Sequence, residues 1–114
     1  MSARRILIIE DEHMLAKALS RALHGMGAEI VGMAATVEQA LKLVEATPDL
    51  DGALVDINLR GVRAYSVADA LAGRGVPFVF TTGYSSPVIP DRYQHVTVLQ
   101  KPFEPHEIIA ALFG

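Results

Sequence analysis

Short apolar runs alternate with amphipathic segments along the whole of this 114-residue chain. Each run has the length and the β-branched composition of a buried strand. Regular alternation of strands and helices is typical of a parallel sheet with helices on both faces. The sequence therefore predicts an α/β fold with a doubly wound, five-stranded parallel sheet. The predicted strands are Arg5–Ile9, Ile30–Ala34, Ala53–Val55, Phe78–Thr81 and Val96–Leu99.

The segments between these runs carry apolar residues at helical spacing. Thr36, with Gln39 three residues later, is a capping-box signature for the second helix. Ser66 is placed to cap the third helix, and Pro105 suits the first turn of the last one. The residues predicted to face the core are Leu15, Leu19, Leu23 and Met26, then Val37, Ala40, Leu41 and Val44, then Val67, Ala70 and Leu71, and finally Ile108 and Leu112.

The segment between the fourth and fifth strands departs from this pattern. Residues Ser85–Gln94 include Pro87 and Pro90, and Pro90 would fall inside any helix that began near Ser86. An interior proline costs a helix about 3 kcal/mol. We therefore expect a loop or one irregular turn here, in place of a full fourth helix.

Composition excludes several classes of protein. The net charge of −3 and the sequence pI near 5.7 do not fit a nucleic-acid-binding protein. The absence of cysteine rules out disulfides and thiolate metal sites. The apolar run Ile6–Ile9 is too short for a signal peptide or a membrane span. These features predict one cytoplasmic domain over residues 1–114, with no nucleic-acid partner and no membrane insertion.

Charged or hydroxyl-bearing residues follow four of the five predicted strands. Glu10 and Asp11 follow the first strand, Asp56 the third, Thr82 the fourth and Lys101 the fifth. In an open α/β sheet, ligands bind beside the carboxyl ends of the strands. The sequence therefore predicts a polar site at this edge of the sheet.

Each of these residues also has an ordinary structural interpretation. Asp11 and Glu12 could complement the dipole of the first helix, Asp56 could be a turn residue, and Lys101 could be a solvated lysine before a proline. Independent accidents do not account for acids after the first and third strands together with a lysine after the fifth. The combination favours a functional site.

The chemistry of this combination is specific. In the strand order 2-1-3-4-5, the first and third strands are neighbours. The acids that follow them, Glu10, Asp11 and Asp56, therefore share a small space and repel one another. A hard divalent cation relieves that repulsion, and oxygen ligands favour Mg²⁺ (or Mn²⁺) over zinc. Lys101 adds a positive charge beside Asp56. A carboxylate prepared in this way suits phosphoryl transfer, which depends on positioning and charge neutralisation.

The chain resembles the receiver domains of response regulators, from Ile6 to Leu112. The resemblance also covers the narrower FATGUY subgroup, which is similar to single-domain regulators of alphaproteobacteria, although Thr81 stands where that motif has Ala. It implies a flavodoxin-like fold and a cis peptide before Pro102. The matching motifs are Ile8-Ile9-Glu10-Asp11-Glu12, Leu54-Val55-Asp56-Ile57-Asn58-Leu59, Pro77-Phe78-Val79-Phe80-Thr81-Thr82-Gly83-Tyr84 and Lys101-Pro102-Phe103.

The resemblance further implies a role for each residue of the site. Asp56 matches the phosphoacceptor, and Asp11 the direct metal ligand. Glu10 matches a partner acid that acts through water, and the backbone carbonyl of Asn58 a further metal ligand. Two more positions match groups that contact the phosphoryl group: the Thr82 hydroxyl and the Lys101 ammonium.

One position departs from the wider family. A Tyr or Phe usually stands three residues before the lysine and acts as a rotamer switch, whereas this chain has Val98. We expect Thr82 to pass the change to the Gly83–Tyr93 segment instead, because ordering a loop is a known switching device. Tyr84 could replace the missing aromatic or be a plain surface contact. Arg60 and Arg63 could be solvated or could meet an acidic partner surface.

Three functions remain open from sequence. The first is a receiver that takes its phosphoryl group from a histidine kinase or a histidine phosphotransfer protein and signals through protein contacts. It would not be an enzyme, beyond catalysing its own phosphorylation and dephosphorylation. The second is a pseudo-receiver that is never phosphorylated. The third is a small aspartate-nucleophile phosphatase, but Asn58 stands where such enzymes place a second aspartate.

Overall fold

A computed structural model describes residues 3–83 and 88–114 of the chain. Strands and helices alternate as predicted, with one additional two-stranded hairpin after the third strand. The strands are β1 Arg5–Ile9, β2 Glu29–Ala34, β3 Gly52–Asp56, β4 Asn58–Leu59, β5 Val62–Arg63, β6 Phe78–Thr82 and β7 Val98–Gln100. The helices are α1 His13–Gly25, α2 Val37–Ala46, α3 Tyr65–Gly73 and α4 Pro105–Phe113, and a 3₁₀ turn spans Asp91–Tyr93.

The main sheet has the order β2-β1-β3-β6-β7, and all of its pairings are parallel. Counted without the hairpin, this is the predicted order 2-1-3-4-5, so the flavodoxin-like fold is confirmed. Strands β4 and β5 form a separate antiparallel hairpin, in which Asn58 pairs with Arg63 and Leu59 with Val62. The hairpin was missed from sequence because each of its strands has only two residues.

Helices cover both faces of the sheet, which explains why the central strands are continuously apolar. Leu7 and Ile9 of β1 point into a core shared with α2 and α3. Ile6 and Ile8 point the other way, into a core shared with α1 and α4. Period-2 alternation along one strand thus supplies both cores.

The predicted ends of two helices are confirmed. Thr36 Oγ1 accepts a hydrogen bond from the Gln39 N–H at 3.2 Å, and Gln39 Oε1 accepts one from the Ala35 N–H at 2.9 Å. Pro105 is the first residue of α4, and a capping box between Glu104 and Glu107 precedes the buried face of that helix. Short-range capping chemistry therefore determines where α2 and α4 begin.

Three predicted details are wrong. Ser66 does not cap α3, because that helix begins at Tyr65 and Ala64 occupies the cap position. The Ala64 N–H donates to the Ile57 carbonyl at 2.8 Å. Met26 lies beyond the end of α1 and is 49% exposed, so it does not belong to the buried face. The fifth strand of the sheet begins at Val98 instead of Val96, because the Val96 N–H closes a turn onto Tyr93.

No full helix lies between β6 and β7 over the described residues 88–94, where the structure is irregular. A single 3₁₀ turn follows Pro90, which confirms the prediction for this part. Residues 84–87 lie outside the described ranges, and with them the prediction for Tyr84. Tyr93 is buried and packs edge-on against Phe78 and Phe80. Within residues 3–83 and 88–114, no helix is long and apolar enough to cross a bilayer.

Candidate functional site

The carboxyl ends of β1 and β3 bring three acids together. Ile9 pairs with Val55, so Glu10 and Asp56 follow their strands at the same level of the sheet. Both side chains are almost fully buried, with relative exposures of 3% and 4%. One carboxylate oxygen from each of Glu10, Asp11 and Asp56 lies within 4.8 Å of the others. The structure thus assembles the predicted acid cluster.

Lys101 lies among these acids. Its Nζ is 2.8 Å from Glu10 Oε1, 2.9 Å from Asp56 Oδ2 and 3.2 Å from Glu12 Oε2. The sheet places it there, because the Lys101 N–H continues the pairing of β7 with β6 by donating to the Thr82 carbonyl at 2.8 Å. The Lys101–Pro102 peptide is cis, as the resemblance implied. One ammonium therefore contacts two buried carboxylates at once.

Burial and charge perturb the acid–base behaviour of this cluster. Burial, together with the negative charge of Asp56, raises the pKa of Glu10 to about 7, although bonds from Lys101 and the Glu12 N–H oppose the rise. Burial alone would lower the pKa of Lys101, but its bonds to Glu10 and Asp56 raise that pKa above its usual range. Lys101 therefore remains charged, and one positive charge faces three acids.

The remaining negative charge makes the cluster suitable for a cation. Carboxylate oxygens are the ligands that Mg²⁺ and Mn²⁺ prefer, and no cysteine is present to favour a softer metal. Glu10, Asp11 and Asp56 therefore fit the predicted metal. The backbone of Asn58 reaches the same site, since its N–H donates to Asp56 Oδ1 at 3.0 Å. That its carbonyl is a metal ligand stays a prediction.

Thr82 is the last residue of β6, and its backbone is bonded to Lys101. The backbone of Thr82 therefore lies next to Lys101, the residue that contacts the acids. Its hydroxyl role toward a phosphoryl group stays a prediction.

Two contacts in the site were not predicted. Glu12 was interpreted only through the dipole of the first helix, yet it pairs with Lys101. The Arg60 N–H donates to Asp11 Oδ2 at 2.9 Å, from the tip of the β4–β5 hairpin. The dipeptide Arg60-Gly61 was a signal for the hairpin turn, because a two-residue loop with glycine is typical of one, but it did not reveal the contact with Asp11.

Comparison with known proteins agrees with this arrangement. Residues 6–113 match the family model of the response regulator receiver domain. Two solution structures of SdrG from Sphingomonas (Pseudomonas) melonis Fr1 cover all of this chain and are covered entirely by it. One has 41% identity and a TM-score of 0.85, and the other, of the BeF3-activated conformation, has 42% identity and a TM-score of 0.81.

Two proteins of lower sequence identity are also response regulators. The chain is 32% identical to the phyllosphere-induced regulator PhyR of Methylorubrum extorquens, over 96% of this chain and 42% of PhyR. A response regulator of Burkholderia pseudomallei, with a phosphorylated aspartic acid, a calcium ion and citrate, has 26% identity and a TM-score of 0.84, over 96% of this chain and 66% of that one. The chain spans about half the length of the curated relatives it matches.

Proposed function

The chain belongs to the response regulator receiver family, and from this premise we propose that Asp56 accepts a phosphoryl group from a phosphohistidine. The donor would be a histidine kinase or a histidine phosphotransfer protein. The observation that carries the proposal is the position of the Lys101 ammonium, which pairs with buried Glu10 and Asp56 inside a cluster of three acids. Positioning and charge neutralisation of this kind are what phosphoryl transfer requires.

Each residue of the cluster would have its own role in the reaction. Asp11 and Asp56, with Glu10 and the backbone carbonyl of Asn58, would hold Mg²⁺ or Mn²⁺. When bound, the cation would neutralise charge on the phosphoryl oxygens. Asp56 is held at Oδ1 by the Asn58 N–H and at Oδ2 by Lys101.

In the proposed transfer, one covalent bond forms and one breaks. A bond forms between an Asp56 oxygen and phosphorus, and the phosphorus–nitrogen bond to the donor histidine breaks. Lys101 and the Thr82 hydroxyl would then contact the oxygens of the phosphoryl group.

The output would consist of contacts with a protein target in the cytoplasm, and the domain would turn over no other substrate. The nearest competing function is a pseudo-receiver that binds partners without being phosphorylated. The buried charges favour the phosphoacceptor, because a pure interaction module gains nothing from three clustered acids and a lysine that must be desolvated. The BeF3-activated state of SdrG and the phosphorylated aspartic acid of the Burkholderia protein give further support.

A mass measurement separates these functions. The chain is incubated with Mg²⁺ and acetyl phosphate, and the intact mass is expected to rise by one phosphoryl group in an acid-stable, base-labile form. Asp56→Asn should abolish the adduct, whereas Asp49→Asn, which removes an exposed carboxylate that pairs with Arg5, should leave it unchanged. If neither acetyl phosphate nor a phosphorylated histidine donor gives an adduct, the chain is a pseudo-receiver. Steady turnover of phosphate esters would indicate the phosphatase.

A further inference from the structure

The β4–β5 hairpin touches both aspartates of the acid cluster. At its base, the Asn58 N–H donates to Asp56 Oδ1 at 3.0 Å. At its tip, the Arg60 N–H donates to Asp11 Oδ2 at 2.9 Å, although 49 residues separate the two along the chain. One short element thus fixes one oxygen on each carboxylate, and the bond of the hairpin to Asp11 engages Oδ2 and not Oδ1.

The tip of this hairpin has a backbone conformation that its sequence does not favour. Leu59 pairs with Val62, so Arg60 and Gly61 are the two loop residues, and their φ angles are 52° and 84°. Positive φ at both loop positions is typical of a type I′ turn, in which the first of the two loop residues is usually Asn, Asp or Gly. Within the described ranges, Arg60 is the only residue other than glycine with positive φ. The bond from its N–H to Asp11 stabilises this otherwise unfavourable conformation.

We propose that Arg60 is a positioning residue for the metal site, and that its backbone N–H orients Asp11 so that the other carboxylate oxygen can bind Mg²⁺. This inference rests on the proposed Mg²⁺-dependent function. The role belongs to the backbone, so the exposed guanidinium is not required. Groups that orient metal ligands are important for affinity, because their loss typically weakens metal binding about 10–100-fold.

A pair of glycines offers a matched test. Gly61 and Gly75 both have positive φ, and in both an added Cβ would meet no atom of the described residues within 4 Å. Valine is strongly disfavoured at positive φ, so Gly61→Val should open the turn and Gly75→Val should strain the loop after α3 to a similar extent. Only the first change affects the hairpin. Arg60→Asn keeps the N–H and suits positive φ, and therefore separates the backbone from the guanidinium.

The measurement is a Mg²⁺ titration of the full 114-residue chain, followed by ¹⁵N–¹H NMR, with the Tm of each variant recorded alongside. We expect Gly61→Val to raise the Kd for Mg²⁺ about tenfold, whereas Gly75→Val and Arg60→Asn should stay within about twofold of wild type despite changes in Tm. If a valine variant does not fold, Gly61→Ala and Gly75→Ala replace the pair, and only the first should weaken Mg²⁺ binding, by less than Gly61→Val would.

The possible failures are distinguishable. If the wild-type chain binds Mg²⁺ and Gly61→Val binds it equally well, the positioning role is wrong while the proposed function stands. The role is also wrong if Gly75→Val or Arg60→Asn weakens binding as much as Gly61→Val does. If the wild-type chain binds no Mg²⁺, the metal-dependent function and this inference are both overturned.

Discussion

The Tyr93 side chain attaches the irregular segment before β7 to the rest of the domain, and Tyr93→Phe tests that attachment. The ring is buried, with centroids 5.6 Å from Phe78 and 5.8 Å from Phe80. The hydroxyl donates to the Asp69 carboxylate on α3, which lowers the pKa of Asp69. Phenylalanine preserves the ring contacts and removes only this hydrogen bond.

The structure sets the expected size of the effect. A hydrogen bond to a charged group contributes about 1.5–3 kcal/mol. The Asp69 side chain is 51% exposed, so water can replace the lost donor, and we expect Tyr93→Phe to lower the free energy of unfolding by about 1 kcal/mol. Tyr93→Ala also removes the buried ring and should cost about 3–5 kcal/mol.

Urea unfolding followed by circular dichroism measures both changes. A double-mutant cycle of Tyr93→Phe with Asp69→Ala should give a coupling energy of about 1 kcal/mol, the value expected for the hydrogen bond. The reasoning is refuted if the coupling is zero within error. It is refuted equally if Tyr93→Ala costs no more than Tyr93→Phe, because the ring would then not be packed against Phe78 and Phe80.

Three other perturbations have expected outcomes. In the absence of Mg²⁺, the contribution of Glu10 to the free energy of unfolding should fall by about 3 kcal/mol from pH 4.5 to 7. Burial raises the pKa of Glu10 from its ordinary value of 4.5 to about 7, so between these values only the folded state keeps the proton. Urea titrations across this range measure the fall as the difference between the wild-type chain and Glu10→Gln. Thr81→Val should raise the unfolding free energy by about 1 kcal/mol in the same assay, since the buried Thr81 Oγ1 has no hydrogen-bond partner among the described residues. Gly52→Ala should lower the Tm, at a cost of about 1–3 kcal/mol, because the added Cβ would lie 3.1 Å from Leu112.

The order of the elements was predictable because long-range topology follows from local patterns in this class of fold. Runs such as Ile6–Ile9 are buried on both faces of a parallel sheet, and they are therefore apolar throughout. Thr36 and Pro105 act within one helical turn, so their effect can be read from sequence. Ser66 misled the prediction because the start of α3 depends on the bond between Ala64 and Ile57, which the sequence does not reveal.

The acid cluster was predictable for a related reason. Parallel strands end at one edge, so residues that follow β1, β3, β6 and β7 must come together. The contacts of Arg60 and Tyr93 were not predictable, because each depends on how a loop folds back onto a distant element. Arg60 meets Asp11 through its backbone, and Tyr93 meets Asp69 from a segment without regular periodicity.

The central position of β1 and β3 has a consequence for how a signal can travel. Each of these strands is bonded to a neighbour on both sides and covered by helices on both faces. Amide protons in such strands exchange with solvent only when the whole domain opens, whereas peripheral segments open locally. We therefore expect the amide protons of β1 and β3, up to Asp56, to be among the slowest-exchanging of the domain. If Asp56 is phosphorylated as proposed, we expect the resulting change to occur in peripheral segments, where the energy needed for local opening is lowest.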